Sequence, residues 1–437
     1  MDRSPKPLRA LLVQTIAAQE SREQAERYAQ EIERLTVSAG LQPVGTRFYA
    51  LPKVNSGSYL GTGNLDNLAA AVIEQEAELV VFNHALTPIQ QRNLEKGLAC
   101  KVADRTGIIL EIFAARAQTR EGRLQVELAA LLYQQSRLVR TWTHLERQKG
   151  GVGLRGGPGE TQIEVDRRLI RGRIRQLEKK LTSVQRTRTL QRRARQDVPF
   201  FSAALVGYTN AGKSTLFNYL TGAQVLAEDQ LFATLDPTVR RIRLPNRDTI
   251  ILSDTVGFIR DLPHQLIAAF RATLEETLEA DLLVHVVDVS DPEWEEQEAA
   301  VLETLHELHV ADKPLLTLYN KTDLLPPDSR LLTRLQGRLR TLLISSVTGH
   351  GVDRLLATFG QEASKTARLV QLCIPVTEGA LLARLCQEGR LIHRQDDDDH
   401  IHLTVQLSPI AHGRLLPVIQ PYTAAACDHA TTALTMT

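Results

Sequence analysis

The 437-residue sequence has few of the features that mark secreted, zinc-binding or membrane proteins. Its four cysteines are far apart and form no Cys-x-x-Cys pair: Cys100, Cys373, Cys386 and Cys427. This spacing argues against a disulfide framework or a zinc site and favours a reducing compartment. The apolar run at residues 8–18 is broken by Gln14 and is too short for a membrane span. We therefore expect a cytoplasmic protein without stable membrane insertion.

A large excess of one charge is also missing, because the formal net charge is +1. Any attraction to nucleic acid must then come from a local cluster of basic residues. The composition, 43% apolar and 24% charged, is that of a globular protein. The length predicts about three domains.

The first 115 residues alternate strand-like and helix-like patterns. The predicted elements are strands at 11–15, 47–51 and 79–82, a helix at 20–39 and a helix starting near Pro88. This alternation predicts a small parallel α/β sheet. The Gly61-Thr62-Gly63 sequence could be a phosphate loop, but a tight turn is favoured because no Gly-Lys follows.

Residues 116–197 predict a hairpin of two long helices. Apolar residues recur at alternating spacings of four and three in both, as in a coiled coil. The first stripe is Leu124, Leu128, Leu131, Leu138, Trp142 and Leu145, with Gln135 inside the seam, and the second is Ile163, Ile170, Ile174, Leu177, Leu181 and Val184. Glycines and a proline at 150–159 exclude a helix there and predict the tip loop.

A phosphate-binding loop is predicted after the apolar strand at 203–206. The sequence from Gly207 to Ser214 fits G-x-x-x-x-G-K-[ST] and opens a helix that Gly222 ends. The residues expected at the phosphates are Gly207, Tyr208, Thr209, Asn210, Ala211, Gly212, Lys213, Ser214 and Thr215. Lys213 would reach the β- and γ-phosphates, and Ser214 would bind Mg²⁺.

Two further segments are expected to sense the γ-phosphate. Asp254, Thr255, Val256 and Gly257 form a D-x-x-G sequence, in which Asp254 would hold the Mg²⁺ through water and Gly257 would approach the γ-phosphate. Upstream, Phe232, Ala233, Thr234, Leu235 and Asp236 form a candidate switch loop. Thr234 is the favoured metal-binding hydroxyl, and Thr238 is the competitor.

The base is predicted to be guanine. Asn320-Lys321-Thr322-Asp323 follows a strand at 315–319. The Asp323 carboxylate can accept hydrogen bonds from the guanine N1 and N2 groups, which adenine cannot supply in this form. Asn320 can reach N7, and the Lys321 stem can cover the ring. Ser345, Ser346 and Val347 stand where small GTPases have Ser-Ala-Lys, and their backbone N–H groups would face the guanine oxygen.

The usual water-positioning glutamine after D-x-x-G is replaced by Phe258, which cannot form a hydrogen bond. No catalytic base can be assigned, and we expect slow intrinsic GTP hydrolysis that a partner accelerates. The segment from 137 to 196 carries 17 Lys and Arg but 5 Asp and Glu. This excess favours RNA contact over an ordinary solvated face. The candidates are Arg155 on the tip loop and Arg167, Arg168, Arg171 and Arg175.

These predictions combine into one α/β architecture. It comprises an N-terminal parallel α/β domain at 1–115, the basic antiparallel helical hairpin at 116–197, a Ras-like P-loop G domain at 198–365 and a small α+β domain at 366–437. The last domain is expected to contain a strand at 369–375, a helix at 379–387 and a hairpin whose turn holds residues 396–399. That acidic turn could bind a cation, although a charged turn is favoured.

The chain resembles the HflX family of translational GTPases over almost its full length. The motifs that carry the resemblance are LTPIQQRNLE at 86–95, DRTG at 104–107, QVEL at 125–128, WTHLER at 142–147, GLRGGPGETQ at 153–162, DRR at 166–168 and DTVGF at 254–258. The resemblance implies a GTPase that uses Mg²⁺, binds the large ribosomal subunit with its tip loop near the peptidyl transferase centre, and splits stalled or idle ribosomes under stress.

In that case the ribosome would stimulate GTP hydrolysis, and the free protein would be a monomer. Family members are also reported to bind ATP through the N-terminal region, but residues 1–115 contain no recognisable site for it. Two other functions stay open from the sequence. One is an ATP-driven RNA-remodelling enzyme, which Asp323 disfavours, and the other is a nucleotide-gated tether for RNA or protein.

Overall fold

The computed structural model describes residues 6–51, 53–140, 162–193, 200–223, 231–232, 234–246, 248–260, 275–326, 328–365, 367–407 and 409–423. The chain forms two compact units. The first comprises residues 1–185 with two segments from later in the chain, 226–236 and 256–275. The second comprises 186–225, 237–255 and 276–437. The candidate switch segment 232–236 and the D-x-x-G residues from Val256 onward therefore belong to the same unit as the N-terminal sheet, whereas Asp254 and Thr255 belong to the second unit.

Among the helices of these ranges, none is long and apolar enough to cross a membrane.

The N-terminal sheet has four parallel strands in the order β2-β1-β3-β4. The strands are β1 (Arg9–Ile16), β2 (Gln42–Ala50), β3 (Leu79–Phe82) and β4 (Lys101–Asp104), and the helices are α1 (Arg22–Ser38), α2 (Thr62–Glu74), α3 (Pro88–Leu98) and α4 (Arg105–Arg116). Apolar side chains from the strands, α2 and α3, among them Val13, Phe82 and Leu94, form one core. The predicted parallel α/β fold is confirmed.

Helix starts in this sheet follow from local capping. Thr87 and Gln90 form a capping box with Pro88 at the start of α3, and the Asp104 carboxylate accepts a hydrogen bond from the Gly107 N–H, 2.9 Å away. The prediction of a tight turn at Gly61 is wrong. Gly61 is the N-cap of α2 in extended backbone, and the two residues after it lie in the first helical turn.

The predicted helical pair is present as α5 (Arg120–Arg140) and α6 (Gln162–Arg193). The two helices pack through the predicted stripes, since Leu128, Ile174, Leu177 and Leu181 are buried together. Leu124, Leu131 and Ile170 pack against the same cluster. The tip loop at 150–159, with Trp142, Leu145 and Arg155, lies outside the described residues.

The second unit contains a six-stranded sheet in the order β10-β9-β8-β5-β7-β6. Its strands are β5 (Ser202–Gly207), β6 (Thr238–Arg243), β7 (Thr249–Asp254), β8 (Leu282–Asp288), β9 (Leu315–Asn320) and β10 (Thr341–Leu343). All are parallel except β6, which is antiparallel to β7. The helices are α7 (Lys213–Thr221), α8 (Glu275–Glu279), α9 (Trp294–Glu307), α10 (Arg330–Gln336) and α11 (Val352–Lys365), with a 3₁₀ turn at Thr322–Leu324.

The C-terminal part is a small α+β module, as predicted. An antiparallel sheet in the order β11-β13-β12 is built from β11 (Arg368–Pro375), β12 (Arg390–Asp396) and β13 (His400–Leu407). Two helices, α12 (Gly379–Glu388) and α13 (Pro409–Ile419), supply Leu381, Leu385 and Leu415 to its core. At the acidic turn between β12 and β13, Asp396 at the end of β12 pairs with Arg394 at 2.6 Å, and the Asp397 Oδ2 lies 3.2 Å from the His402 Nε2.

Candidate nucleotide-binding site

The phosphate loop connects the end of β5 to the start of α7. Two of its glycines have positive φ, +153° at Gly207 and +91° at Gly212. A Cβ at Gly207 would lie 2.3 Å from the Val286 oxygen, and one at Gly212 would lie 2.2 Å from the Asn320 Nδ2. The loop therefore needs glycine at both positions because of the backbone conformation and the closeness of neighbouring strands.

Lys213 projects back into the loop that precedes it. Its Nζ donates hydrogen bonds to the carbonyls of Gly207 at 3.1 Å and Tyr208 at 2.7 Å. Burial lowers the pKa of Lys213 to about 8, and the nearby Asp254 carboxylate partly opposes this shift. The hydration that the buried ammonium group loses is only partly replaced by its protein neighbours, so a bound anion would favour its charged form.

Ser214 and Asp254 meet beside the loop. The Ser214 hydroxyl donates to the Asp254 Oδ2 at 2.7 Å, and the Asp254 side chain is fully buried at the end of β7. Next to it, the Thr255 hydroxyl donates to the Leu205 carbonyl at 2.6 Å and ties β7 to β5. A hydroxyl and a carboxylate are hard oxygen ligands of the kind that Mg²⁺ prefers, so these residues suit the predicted metal.

Asn320 joins three loops at the carboxyl edge of the sheet. Its Nδ2 donates to the Ala211 carbonyl at 2.8 Å and to the Ser346 hydroxyl at 3.1 Å, while its Oδ1 accepts from the Ser346 N–H at 2.9 Å. Ser345 is buried, whereas the Val347 side chain is 72% exposed. The residues predicted at the phosphates and the base are thus brought together by one buried amide.

Lys321 has a positive φ of 62°, and its Nζ lies 2.7 Å from the Asp288 Oδ2. Asp323 lies in the 3₁₀ turn with its side chain exposed, where it can accept hydrogen bonds from a ligand. Asp288 was missed by the sequence reasoning. Its position at the end of β8 was a usable signal, because ligands of such sheets bind where parallel strands end.

The residues of the candidate switch segments are held against the N-terminal part of the chain. The Leu231 N–H donates to the Ser38 hydroxyl at 3.2 Å, and the Phe232 ring packs edge-on against Phe113 with ring centres 4.7 Å apart. Thr234 is 8% exposed and Leu235 2% exposed. Ala233 lies outside the described residues.

The segment after the D-x-x-G sequence is also docked on this part of the molecule. Val256, Gly257, Phe258 and Ile259 are buried. The Arg260 guanidinium lies over the Tyr28 ring at 3.4 Å from its centre, and its Nη2 is 3.5 Å from Glu31. Arg105 contacts Glu31 as well and donates to the Arg260 carbonyl at 3.1 Å.

The basic helix α6 has two different faces. Its apolar residues pack on α5, while Arg168, Arg171, Arg175, Lys179 and Lys180 are exposed and Arg167 is half-buried. Arg173 is paired with Glu127 of α5 at 2.6 Å. The outer face of α6 is therefore a surface of positive charge within the first unit.

The fold and the site together define the class of protein to which this chain belongs. A strand, a glycine-rich loop with Lys213 and Ser214, an acidic residue at the next parallel strand and an Asn-Lys-x-Asp sequence are the parts of a P-loop GTPase. Three family models match the chain: "GTP-binding GTPase N-terminal" at 26–114, "GTP-binding GTPase Middle Region" at 116–195 and "50S ribosome-binding GTPase" at 202–321.

Known relatives give the particular family. The chain is 55% identical to the GTPase HflX of Magnetococcus marinus over 94% of each chain. It is 46% identical to the GTPase HflX of Escherichia coli over 90% of this chain and 92% of that one. The chain belongs to the HflX family of GTPases and is a GTP hydrolase. A GTP-binding protein of Sulfolobus solfataricus in complex with GDP is 25% identical and covers 82% of this chain, with a TM-score of 0.44 that adds nothing to the assignment.

Proposed function

We propose that this GTPase binds the large ribosomal subunit and separates stalled or idle ribosomes into subunits under stress. The observation that carries the proposal is the basic outer face of α6, because its arginines and lysines are exposed while its apolar face is used by α5. Phosphate backbones attract such a surface. The family model that matches residues 202–321 is described as a ribosome-binding GTPase, which supports the same partner.

In the proposed site, Lys213 binds the β- and γ-phosphates and Asp323 reads guanine. Ser214, Thr234 and, through water, Asp254 would hold Mg²⁺, which when bound neutralises charge on the phosphate oxygens. The direct bond between Ser214 and Asp254 supports this assignment, because it brings two suitable oxygen ligands to one place. Gly257 and Thr234 respond to the γ-phosphate.

Hydrolysis by the free protein is proposed to be slow. Phe258 takes the place of the water-positioning glutamine and is 2% exposed, so its ring is part of the packed interior and cannot orient water. The large subunit would then stimulate turnover by reshaping this region, and hydrolysis would permit release.

The test is co-sedimentation with isolated ribosomal subunits in GTP, GDP and a non-hydrolysable GTP analogue, paired with turnover measurements. We expect binding to the large subunit with the analogue, weaker binding with GDP, and hydrolysis that the subunit accelerates. Light scattering then follows the separation of whole ribosomes. Binding without any acceleration of turnover would favour a nucleotide-gated tether instead.

Charge reversal tests the interface directly. The double change Arg171→Glu and Arg175→Glu should weaken binding to the large subunit by about tenfold near physiological salt and reduce its salt dependence. The matched control is Arg330→Glu with Arg354→Glu, which reverses two exposed arginines of the second unit. Equal loss of binding in both double variants would contradict a specific role for α6.

A further inference from the structure

Asp236, in the candidate switch segment, contacts the residues that lead into α5. Its carboxylate accepts hydrogen bonds from the N–H groups of Gln118 at 2.9 Å and Thr119 at 2.8 Å, and from the Thr119 hydroxyl. Thr119 directly precedes α5, and its hydroxyl accepts from the Gly122 N–H at 2.9 Å. We call these four residues the Asp236 clasp. It holds residue 236 on the first turn of the first hairpin helix.

Gly122 makes this contact possible. A Cβ at this position would lie 2.4 Å from the Asp236 Oδ1 and 3.1 Å from the Thr119 Oγ1. Glycine inside a helix costs about 1 kcal/mol relative to alanine, so the helix alone would be better served by alanine. The close approach of the carboxylate explains why glycine is needed here. The clasp thus depends on Asp236 in the candidate switch segment and on Gly122 in α5.

The clasp is close along the chain to the proposed metal ligand. Thr234 and Asp236 are separated by Leu235, which is 2% exposed, and Phe232 packs on Phe113 just before them. Because one residue separates Thr234 from Asp236 in the chain, a displacement of Thr234 is expected to reach Asp236. Since charged hydrogen bonds are among the stronger ones, the motion would be passed to the start of α5.

We propose that Asp236 is a positioning residue that transmits the nucleotide state from Thr234 to the helical hairpin. A γ-phosphate with its metal orders the segment that contains Thr234, and hydrolysis releases it. The clasp is then tighter in the triphosphate state and looser with GDP. The inference rests on the proposed role of Thr234 but not on ribosome binding, so its test needs no ribosome.

Amide hydrogen exchange of the full chain measures this directly. With saturating GTP analogue, exchange in the peptide covering 118–124 should be at least about fivefold slower than with GDP. In Asp236→Ala and in Gly122→Ala this difference should fall to less than about twofold, because the first change removes the carboxylate and the second displaces it from α5. By reciprocity the ratio of GTP-analogue to GDP affinity should fall in both variants.

The matched control is Gly172→Ala, since a Cβ at Gly172 in the second hairpin helix would meet nothing within 4 Å. It should keep the full nucleotide dependence of exchange. Asp236→Asn serves as a milder variant should the alanine variant fold poorly. Equal exchange of 118–124 with both nucleotides in the unmodified protein would overturn the inference, as would the same loss of nucleotide dependence in the Gly172 and Gly122 variants. Failure of ribosome binding would leave these results unchanged.

Discussion

The residues proposed to bind GTP fall into two groups that are held in different ways. The phosphate loop, Asp254 and Asn320 are held by neighbours on one edge of the six-stranded sheet, for example by the 2.8 Å bond from Asn320 to the Ala211 carbonyl. The switch segments are held by the N-terminal part of the chain, through Ser38, Phe113 and Thr119 in one case and through Tyr28 and Glu31 in the other.

We therefore expect the first group to determine nucleotide affinity and the second group to determine how the protein responds to the bound nucleotide. Changes in the first group would alter the proposed contacts with the nucleotide itself. Changes in the second group would alter how firmly the segments proposed to respond to the γ-phosphate are fixed. Substitutions in each group can show whether nucleotide binding and the anchoring of the switch segments are separable.

The largest effect is expected for Asp323→Asn. The carboxylate would lose its two charge-assisted hydrogen bonds with guanine, while xanthine supplies an oxygen that an amide can bind. Preference for GTP over xanthosine triphosphate should fall by about a hundredfold or more, since hydrogen bonds to charged groups contribute about 1.5–3 kcal/mol each. Competition binding measures it. Asp328→Asn, at an exposed carboxylate further along the chain, is the control. An unchanged preference would show that the base site is elsewhere.

The next largest effect is expected on the Mg²⁺ dependence of GTP binding. Ser214→Ala removes one oxygen ligand while leaving the Asp254 carboxylate in place, and should weaken Mg²⁺-dependent GTP binding by about tenfold to a hundredfold. Titration of nucleotide affinity against Mg²⁺ provides the measurement. Ser202→Ala is the control on β5, because its hydroxyl bonds Asp281 rather than the proposed metal ligands. Equal Mg²⁺ dependence in the Ser214 variant and the unmodified protein would contradict the assignment.

The first group was largely predictable from the sequence because its structure is local. The phosphate loop, its flanking strand and the helix stop at Gly222 follow from glycine, lysine and apolar residues within a short stretch, and the structure places them in β5 and α7. The strand at 79–82 was predicted with its observed ends. Asp288, in contrast, was missed because its one local signal is its position at the end of a strand, and no motif beside it indicates its contact with Lys321.

The anchoring of the second group could not be predicted from one sequence. Asp236 contacts residues 117 and 118 positions away, and Arg260 contacts Glu31 across 229 positions. No local periodicity or capping pattern encodes such pairs, and a buried Phe258 looks the same in sequence as an exposed one. The domain limits at 115, 197 and 365 also stay predictions.

Glu31 tests the anchoring of the second group. It lies 14% exposed between Arg105 and Arg260, and Arg105 is 6% exposed. Glu31→Gln leaves these guanidinium groups without their shared carboxylate and should lower the free energy of unfolding by about 2 kcal/mol, because hydrogen bonds to charged groups contribute about 1.5–3 kcal/mol. Denaturant unfolding measures the change.

The control for Glu31 is on the same helix. Glu26 pairs with Arg22, but the two side chains are 51% and 79% exposed, so Glu26→Gln should change stability by less than about 0.5 kcal/mol. Nucleotide affinity should fall less in Glu31→Gln than in Ser214→Ala. A larger fall would show that the two groups cannot be separated in this way.

The smallest expected effect is a pH dependence of stability that arises next to the first group, at His285. His285 lies on β8 beside the phosphate-loop strand and is 1% exposed, and among the described residues neither ring nitrogen has a hydrogen-bond partner. Burial, with a smaller contribution from the Lys213 charge, lowers the pKa of His285 from 6.5 to about 3.

Because the unfolded chain binds a proton at His285 before the folded chain does, stability should fall as the pH drops below 6.5. The loss should approach roughly 1 kcal/mol per pH unit between pH 6 and 5. His285→Leu removes this part of the pH dependence, whereas His306→Leu, at an exposed histidine on α9, should keep it. Unfolding free energies across this pH range decide the question: parallel curves for His285→Leu and the unmodified protein would mean that His285 is protonated in the folded state.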